Sequence, residues 1–328
     1  MAMGPVNIRG MGIFGLSVAW ACARRGVPVR MWDPVQLAAR TSGGIVGALS
    51  PHVPENWNPK KAFQLESLLM AQGYWAQVEA VSGLSAGYAR CGRVQPLPDA
   101  RSVELARGRA VTAAELWGDN AVWEVVEAPG GEWSPVSPTG LVVHDTLSAR
   151  VHPRAALAAL TAAVLARGGQ IAEPVEGPTV WAVGVAEPGV AGVKGQAALF
   201  GYNAGDVPQL FVDGLHIIPH ADGTVAVGST SEREWSQPGP DELLDDVIAR
   251  AREALPCLRG AEVIERWAGV RPRSKTRAPV LGAHPDRPGD YIVNGGFKIG
   301  FGMAPLVGEV MADLILDGVD RVPEAFRA

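Results

Sequence analysis

A chain of 328 residues, 47% hydrophobic and 19% charged, is long for one compact core and suits two lobes around a shared cleft. Its net charge of −5, without a basic stripe or Lys/Arg run, gives no basis for nucleic-acid binding, so the expected partner is a small-molecule substrate. Cys22, Cys91 and Cys257 stand far apart with no CxxC pair, which argues against a disulfide framework or a zinc site; no metal is expected.

The apolar stretch 11–23 is broken by glycine and too short to span a bilayer, and the first residues lack a basic-then-apolar signal pattern. The expectation is a cytoplasmic protein without integral membrane contact. Its oligomeric state is left open.

The N-terminal run predicts a strand over Val6–Ile8, a Gly-rich turn, a helix from about Ile13 to Arg24 and a second strand ending at Trp32. Gly10, Gly12 and Gly15 have GxGxxG spacing. Gly10 permits the tight turn, Gly12 lets a pyrophosphate approach the backbone, and Gly15 lets the helix pack closely on the sheet. Ile13 and Phe14 supply the first helical N–H groups. Asp33, about 20 residues beyond the glycines, stands where a carboxylate accepts hydrogen bonds from an adenosine ribose. This motif alone does not separate FAD from NAD. The following loop, Ala39 to His52, is rich in small residues, and Gly43, Gly44 and Gly47 would let a planar ligand lie against the main chain.

Helical spacing returns from Lys60 to Val81, and residues 86–149 then read as strands of a second lobe. His152-Pro153-Arg154 opens another helix, with Pro153 in its first turn and Gly168 at its C-cap. Two short β-rich runs end at Gly184. Residues 194–230 are again β-rich, with a hairpin turn at Ala221-Asp222-Gly223. Asp241 to Leu255 reads as an amphipathic helix whose acids, Asp241, Glu242, Asp245 and Asp246, form a solvated face. The last block, W-A-G-V-R-P-R-S-K-T-R-A-P-V-L-G (267–282) followed by Y-I-V-N-G-G-F-K-I-G-F-G-M-A-P (291–305), reads as a strand, a glycine-dense loop and a helix started by Pro305.

Taken in order, the GxGxxG unit, A-R-T-S-G-G, H-P-R, V-K-G-Q, I-I-P-H-A-D-G-T-V-A-V-G-S-T, A-G-V-R-P-R and G-G-F-K-I-G-F-G-M-A-P resemble the FAD-dependent D-amino-acid oxidase superfamily, in its glycine oxidase and sarcosine oxidase branch. The resemblance implies an α/β fold: a Rossmann-like FAD-binding domain (1–85, 150–192 and 266–328) with a second, mainly antiparallel β-sheet substrate domain (86–149 and 193–265). It implies FAD, held without a covalent bond, since the G-G-F-K-I-G loop has no Cys or His. It also implies oxidation of a small amine or amino acid by hydride transfer to flavin N5, with oxygen as acceptor. A dehydrogenase of a hydroxy acid or polyol phosphate, or an inactive flavin-binding protein, are the alternative readings.

By the same resemblance Arg271 holds a substrate carboxylate, although a structural salt bridge would also explain it. His216 stands where relatives often offer an aromatic hydroxyl, and is either a substrate contact or a satisfied lobe histidine. Lys298 replaces a common Arg. The expected cofactor contacts are Gly10, Gly12, Ile13, Phe14, Gly15, Asp33, Arg40, Thr41, Ser42, Gly44, Gly184, Gly296, Phe297, Lys298, Ile299 and Gly300. The stretch before V-W-A-V-G, which in relatives supplies a small β-meander, is shortened, leaving Val175 as the expected backbone contact to adenine. Arg273, Lys275 and Arg277 form either a solvated loop or an anion-binding group.

Overall fold

The computed structural model describes residues 4–33 and 41–328, so the expected contact at Arg40 lies outside the described residues. β1 (Val6–Arg9), α1 (Ile13–Ala23) and β2 (Val29–Trp32) form the opening βαβ unit. With β8 (Gln170–Ile171), β9 (Thr179–Trp181), β15 (Val280–Ala283) and β16 (Tyr291–Asn294), they make a six-stranded sheet in the order β15-β16-β9-β1-β2-β8. Only the β15–β16 pair in it is antiparallel. One face carries α1, which is buried along its whole length, packed with α2 (Pro59–Ser82), α4 (Pro153–Ala166) and α6 (Gly300–Ala312). Cys22 lies in that packing, where burial pushes its thiol up to about 12.

Alternation along β1 sends Val6 and Ile8 into this core and turns Asn7 and Arg9 to the opposite face. There Arg9 is in register with Trp32 on one side and Trp181 on the other. Its guanidinium lies 4.8 Å and 4.5 Å from the two ring centroids, and Arg287 covers Trp181 from beyond at 3.9 Å. A cation between two aromatic faces is attracted by both ring quadrupoles.

The second sheet has eight strands in the order β14-β10-β13-β12-β11-β4-β6-β5. These are β4 (Arg93–Pro96), β5 (Trp123–Glu127), β6 (Leu141–Asp145), β10 (Ala191–Gly201), β11 (Gln209–Val212), β12 (Leu215–Pro219), β13 (Val225–Gly228) and β14 (Glu262–Arg273). It is antiparallel except where β11 meets β4. A short antiparallel pair, β3 (Ala48–Leu49) with β7 (Ala149–Arg150), links the two regions. The turn between β12 and β13 has Gly223 at φ +84, which only the absence of Cβ makes easy.

Three sequence expectations change. Within 86–149 the chain forms not only strands but helix α3 (Ala100–Trp117), capped by the Asp99 side chain on Ser102 N. Its apolar stripe is narrow (Val103, Ala106, Ala113, Trp117) amid charged helix formers, so the periodic signal is weak. Pro305 does not start α6: it lies inside the helix, which begins at Gly300, and the next amide, Leu306 N, donates to Ser67 Oγ at 3.3 Å. Asp241 does not belong to the solvated acidic face of α5 (Leu243–Ala254). It turns inward to pair with Lys194, a fully buried lysine on β10 that also lies 3.4 Å from Glu232. A buried ammonium needs such compensation, and here two carboxylates supply it.

Candidate active site

Between the two sheets runs a cavity of about 1360 Å³. One end is built by the first βαβ unit. Gly10 adopts φ +102, and a Cβ there would sit 2.3 Å from the Ala182 carbonyl oxygen. Gly15 does not line the cavity; a Cβ on it would lie 2.0 Å from Gly10 O, so it serves the close contact of helix and turn. At Gly12 a Cβ would meet Ser42 Oγ at 3.2 Å, leaving the approach open from the cavity side. Ser42 Oγ accepts from Ile13 N (3.2 Å), Thr41 Oγ1 donates to Val270 O (2.7 Å), and Asp33 accepts from Met11 N (3.4 Å).

The C-terminal loop closes the middle of the cavity. Asn294 donates to Gly184 O (2.9 Å), and the chain then passes Gly295 and Phe297, at φ +72 and +43, before α6 begins. A Cβ on Gly296 would press 3.0 Å from the Phe14 ring, so the loop and α1 meet closely because the glycine is bare. Gly44 does the same against Trp267, at 3.1 Å.

Of the expected cofactor contacts, Gly10, Gly12, Ile13, Phe14, Asp33, Thr41, Ser42, Gly44, Gly184, Gly296, Phe297, Lys298, Ile299 and Gly300 all border this one cavity. Val175 does not. Its main-chain N–H and C=O are both engaged by the Asn7 side-chain amide, at 3.1 and 2.9 Å, on the far face of the sheet. The loop that should have reached the cavity is thus spent on stapling β1. Arg273, Lys275 and Arg277 also lie outside the lining, the last two exposed.

The other end of the cavity is formed by the eight-stranded sheet. Arg271 reaches across β10, where Gly195 makes room: a Cβ there would fall 1.9 Å from Nη2. Its guanidinium donates to Thr230 O (3.2 Å) and Ser229 Oγ and forms no ion pair among the described residues. Burial lowers its pKa to about 10, against the opposing pull of Glu232. The salt-bridge alternative for Arg271 therefore finds no partner among the described residues.

His216 on β12 also faces the cavity, with Nδ1 enclosed and without a hydrogen-bond partner among the described residues. Burial, reinforced by Arg93, Lys298 and Arg271, drives its pKa down to about 3, so the ring is neutral at physiological pH. Lys298 opens on the same space, and partial burial together with Arg271 lowers its pKa. Sequence reasoning missed Arg93, Gln95, Phe211, Ser229 and Trp267, all of which border the cavity. The alternation R-V-Q in β4 was the available signal: it puts Arg93 and Gln95 on one face and Val94 on the other.

A family model described as FAD dependent oxidoreductase matches residues 6–314. This chain belongs to that FAD-dependent oxidoreductase family. The cavity suits the cofactor: a glycine-lined helix N-terminus that would take a pyrophosphate, Asp33 that would take a ribose, and the 296–300 loop at mid-cavity that would lie beside a flat ring. Glycine oxidase from Pseudomonas putida is 34% identical over 138 residues, 40% of this chain and 38% of that protein. Glycine oxidase from Bacillus licheniformis is 31% identical over 122 residues, 36% of this chain and 33% of that protein, so these matches span little more than a third of those enzymes. The crystal structure of glycine oxidase from Geobacillus kaustophilus superposes with a TM-score of 0.85 over 98% of this chain and 97% of that one, at 19% identity, which shows a shared fold. Among the described residues of this flavoprotein-family chain, no helix is long and apolar enough to cross a membrane.

Proposed function

We propose that the protein oxidises a small amine or amino acid carrying a carboxylate, with oxygen as the final electron acceptor. The observation that carries this reading is Arg271: a desolvated guanidinium at the cavity wall, held by Ser229 and Thr230 and making no ion pair among the described residues. Such a group grips a carboxylate through charge-assisted hydrogen bonds that the dry site strengthens. The names of the glycine oxidase relatives support the same substrate class.

FAD, when bound, supplies a hydride acceptor at N5 and passes the electron pair to oxygen. Gly10, Gly12, Ser42 and Asp33 would hold its nucleotide half, and Gly296 to Gly300 its ring. Arg271 fixes the substrate carboxylate and so aims the adjacent C–H bond. Lys298 adds positive charge to the same space. The neutral His216 imidazole offers a hydrogen bond without adding charge. An amine that arrives uncharged loses the hydride from its α-carbon as its nitrogen lone pair forms the C=N bond, so no general base is needed at that step. In this reading residues 1–85, 150–192 and 266–328 form the cofactor domain, which also lends Arg271 and Lys298 to the substrate, and 86–149 with 193–265 form the substrate domain.

The test is anaerobic mixing of the FAD-loaded protein with glycine, sarcosine, D-amino acids and hydroxy acids, followed by admission of oxygen. Bleaching by an amine and peroxide release on reoxidation are expected. Bleaching by hydroxy acids alone, or by none of the set, would overturn the proposal.

A further inference from the structure

We infer that the cavity recognises a second carboxylate, through Arg93, so that the substrate is an amino or imino dicarboxylate; this rests on the carboxylate-binding reading of Arg271. Arg93 is 5% exposed, yet it borders the cavity. Its Nε donates to the buried Asp145 at 2.8 Å, which fixes the guanidinium, and its Nη groups donate to no atom of the described residues. Its Cζ stands 5.7 Å from the Phe211 ring centroid, and that ring lies 4.7 Å from His216.

The sheet sets the spacing. Arg271 extends over Gly195 of β10 to Ser229, just past β13, so its guanidinium lies between β10 and β13, with His216 on the next strand, β12. Arg93 on β4 leans over Phe211 on β11. With neighbouring strands about 4.8 Å apart, the two to three strand intervals up to β11 set the two guanidinium groups about 10–14 Å from each other. Hydrogen bonds of about 2.8 Å set each carboxylate carbon about 4 Å from its guanidinium carbon, which leaves room for two carboxylates separated by roughly one to four chain atoms. Phe211 and His216 form the wall between them.

Charge points the same way. The described lining carries Arg93, Arg271 and Lys298, and its one carboxylate, Asp33, is at the nucleotide end. Asp145 offsets part of the charge on Arg93 but does not border the cavity. A monocarboxylate would answer only one of these cations. The basic trio Arg273, Lys275 and Arg277, outside the cavity, is not part of this subsite.

Calorimetric titration of the FAD-loaded protein with butyrate and with glutarate, which is butyrate bearing a second carboxylate on its far carbon, tests the inference. Glutarate should bind about tenfold to a hundredfold tighter, as charge-assisted hydrogen bonds to a second carboxylate require. Arg93→Gln combined with Asp145→Asn replaces the buried ion pair by a neutral hydrogen-bonding pair, and Arg93→Lys alone guards against misfolding of the double variant. Both should bring the glutarate-to-butyrate ratio down to threefold or less (about 0.7 kcal/mol). Lys275→Ala should leave it unchanged. Equal affinities in the native protein, or a ratio that survives both Arg93 variants, would overturn the inference. If butyrate binds and Arg271→Ala abolishes that binding while glutarate has no advantage, only the second subsite fails. If neither acid binds, the Arg271 reading fails with it.

Discussion

Adding one methyl group at Gly195 tests the carboxylate clamp more cleanly than deleting its arginine. In β10, Gly195 faces Gly269 of β14, and the Arg271 guanidinium lies over Gly195. A Cβ at Gly195 would fall 1.9 Å from Nη2, 2.2 Å from Cζ and 2.3 Å from Nη1. The guanidinium must retreat by about 1.5 Å to reach ordinary van der Waals distance. That displacement breaks its alignment with Ser229 Oγ and Thr230 O and moves it off the carboxylate position. Since the clash falls on the end of a flexible side chain and not on backbone, the fold should hold. Gly195→Ala is therefore expected to weaken carboxylate binding about tenfold to a hundredfold, the worth of one or two charge-assisted hydrogen bonds. Butyrate titration and a thermal melt of the FAD-loaded variant measure both. Native affinity with a native melting temperature would refute the clamp geometry. A collapse in stability would show instead that the strands, not the guanidinium, absorb the methyl.

The remaining predictions concern the cofactor end, the buried lysine and pH. Gly12→Ala should fold, because its Cβ meets only Ser42 Oγ at 3.2 Å, but should bind less FAD, whereas Gly10→Ala should fail to fold, its Cβ being 2.3 Å from a backbone oxygen; bound-flavin absorbance and solubility separate the two. Lys194→Met should cost about 3–5 kcal/mol in urea unfolding, because Asp241 and Glu232 lose the cation between them, and should loosen the segment 230–241 to limited proteolysis. His216 and His220 are held at about 3 and about 4, below the ordinary 6.5. On acidification the unfolded chain therefore takes up protons first, and stability, full above pH 6.5, declines as pH falls through that window. The drop in urea midpoint between pH 7.5 and 5 should shrink in His216→Gln, and an undiminished drop would count against a neutral buried ring.

The nucleotide end was legible in sequence because its logic is local: Gly10, Gly12 and Gly15 act within one turn, and Asp33 follows at the end of the next strand. The substrate end depends on contacts between distant segments. Arg271 was visible through the A-G-V-R-P block, but the room it needs comes from Gly195 on another strand, and the V-K-G-Q run around Gly195 does not by itself tell that the two strands pair. Arg93 was hidden in a four-residue strand whose face becomes meaningful only once β4 joins β11. Asp241 looked like one more acid at a helix start until Lys194 was seen beneath it. Val175 failed for a similar reason, since the claim of Asn7 on its backbone is made from 168 residues away.

The Trp32–Arg9–Trp181 stack has a mechanical consequence for the cofactor. Each member is the last residue of its strand, so the chain leaves the stack directly into Gly10, Asp33 and Ala182. Three residues that border the cavity, Gly10, Asp33 and Ala182, thereby leave from one clasp on the reverse face of the sheet. Arg9 does not border the main cavity, yet replacing it with alanine is expected to speed the release of FAD, which the recovery of flavin fluorescence on dilution would measure.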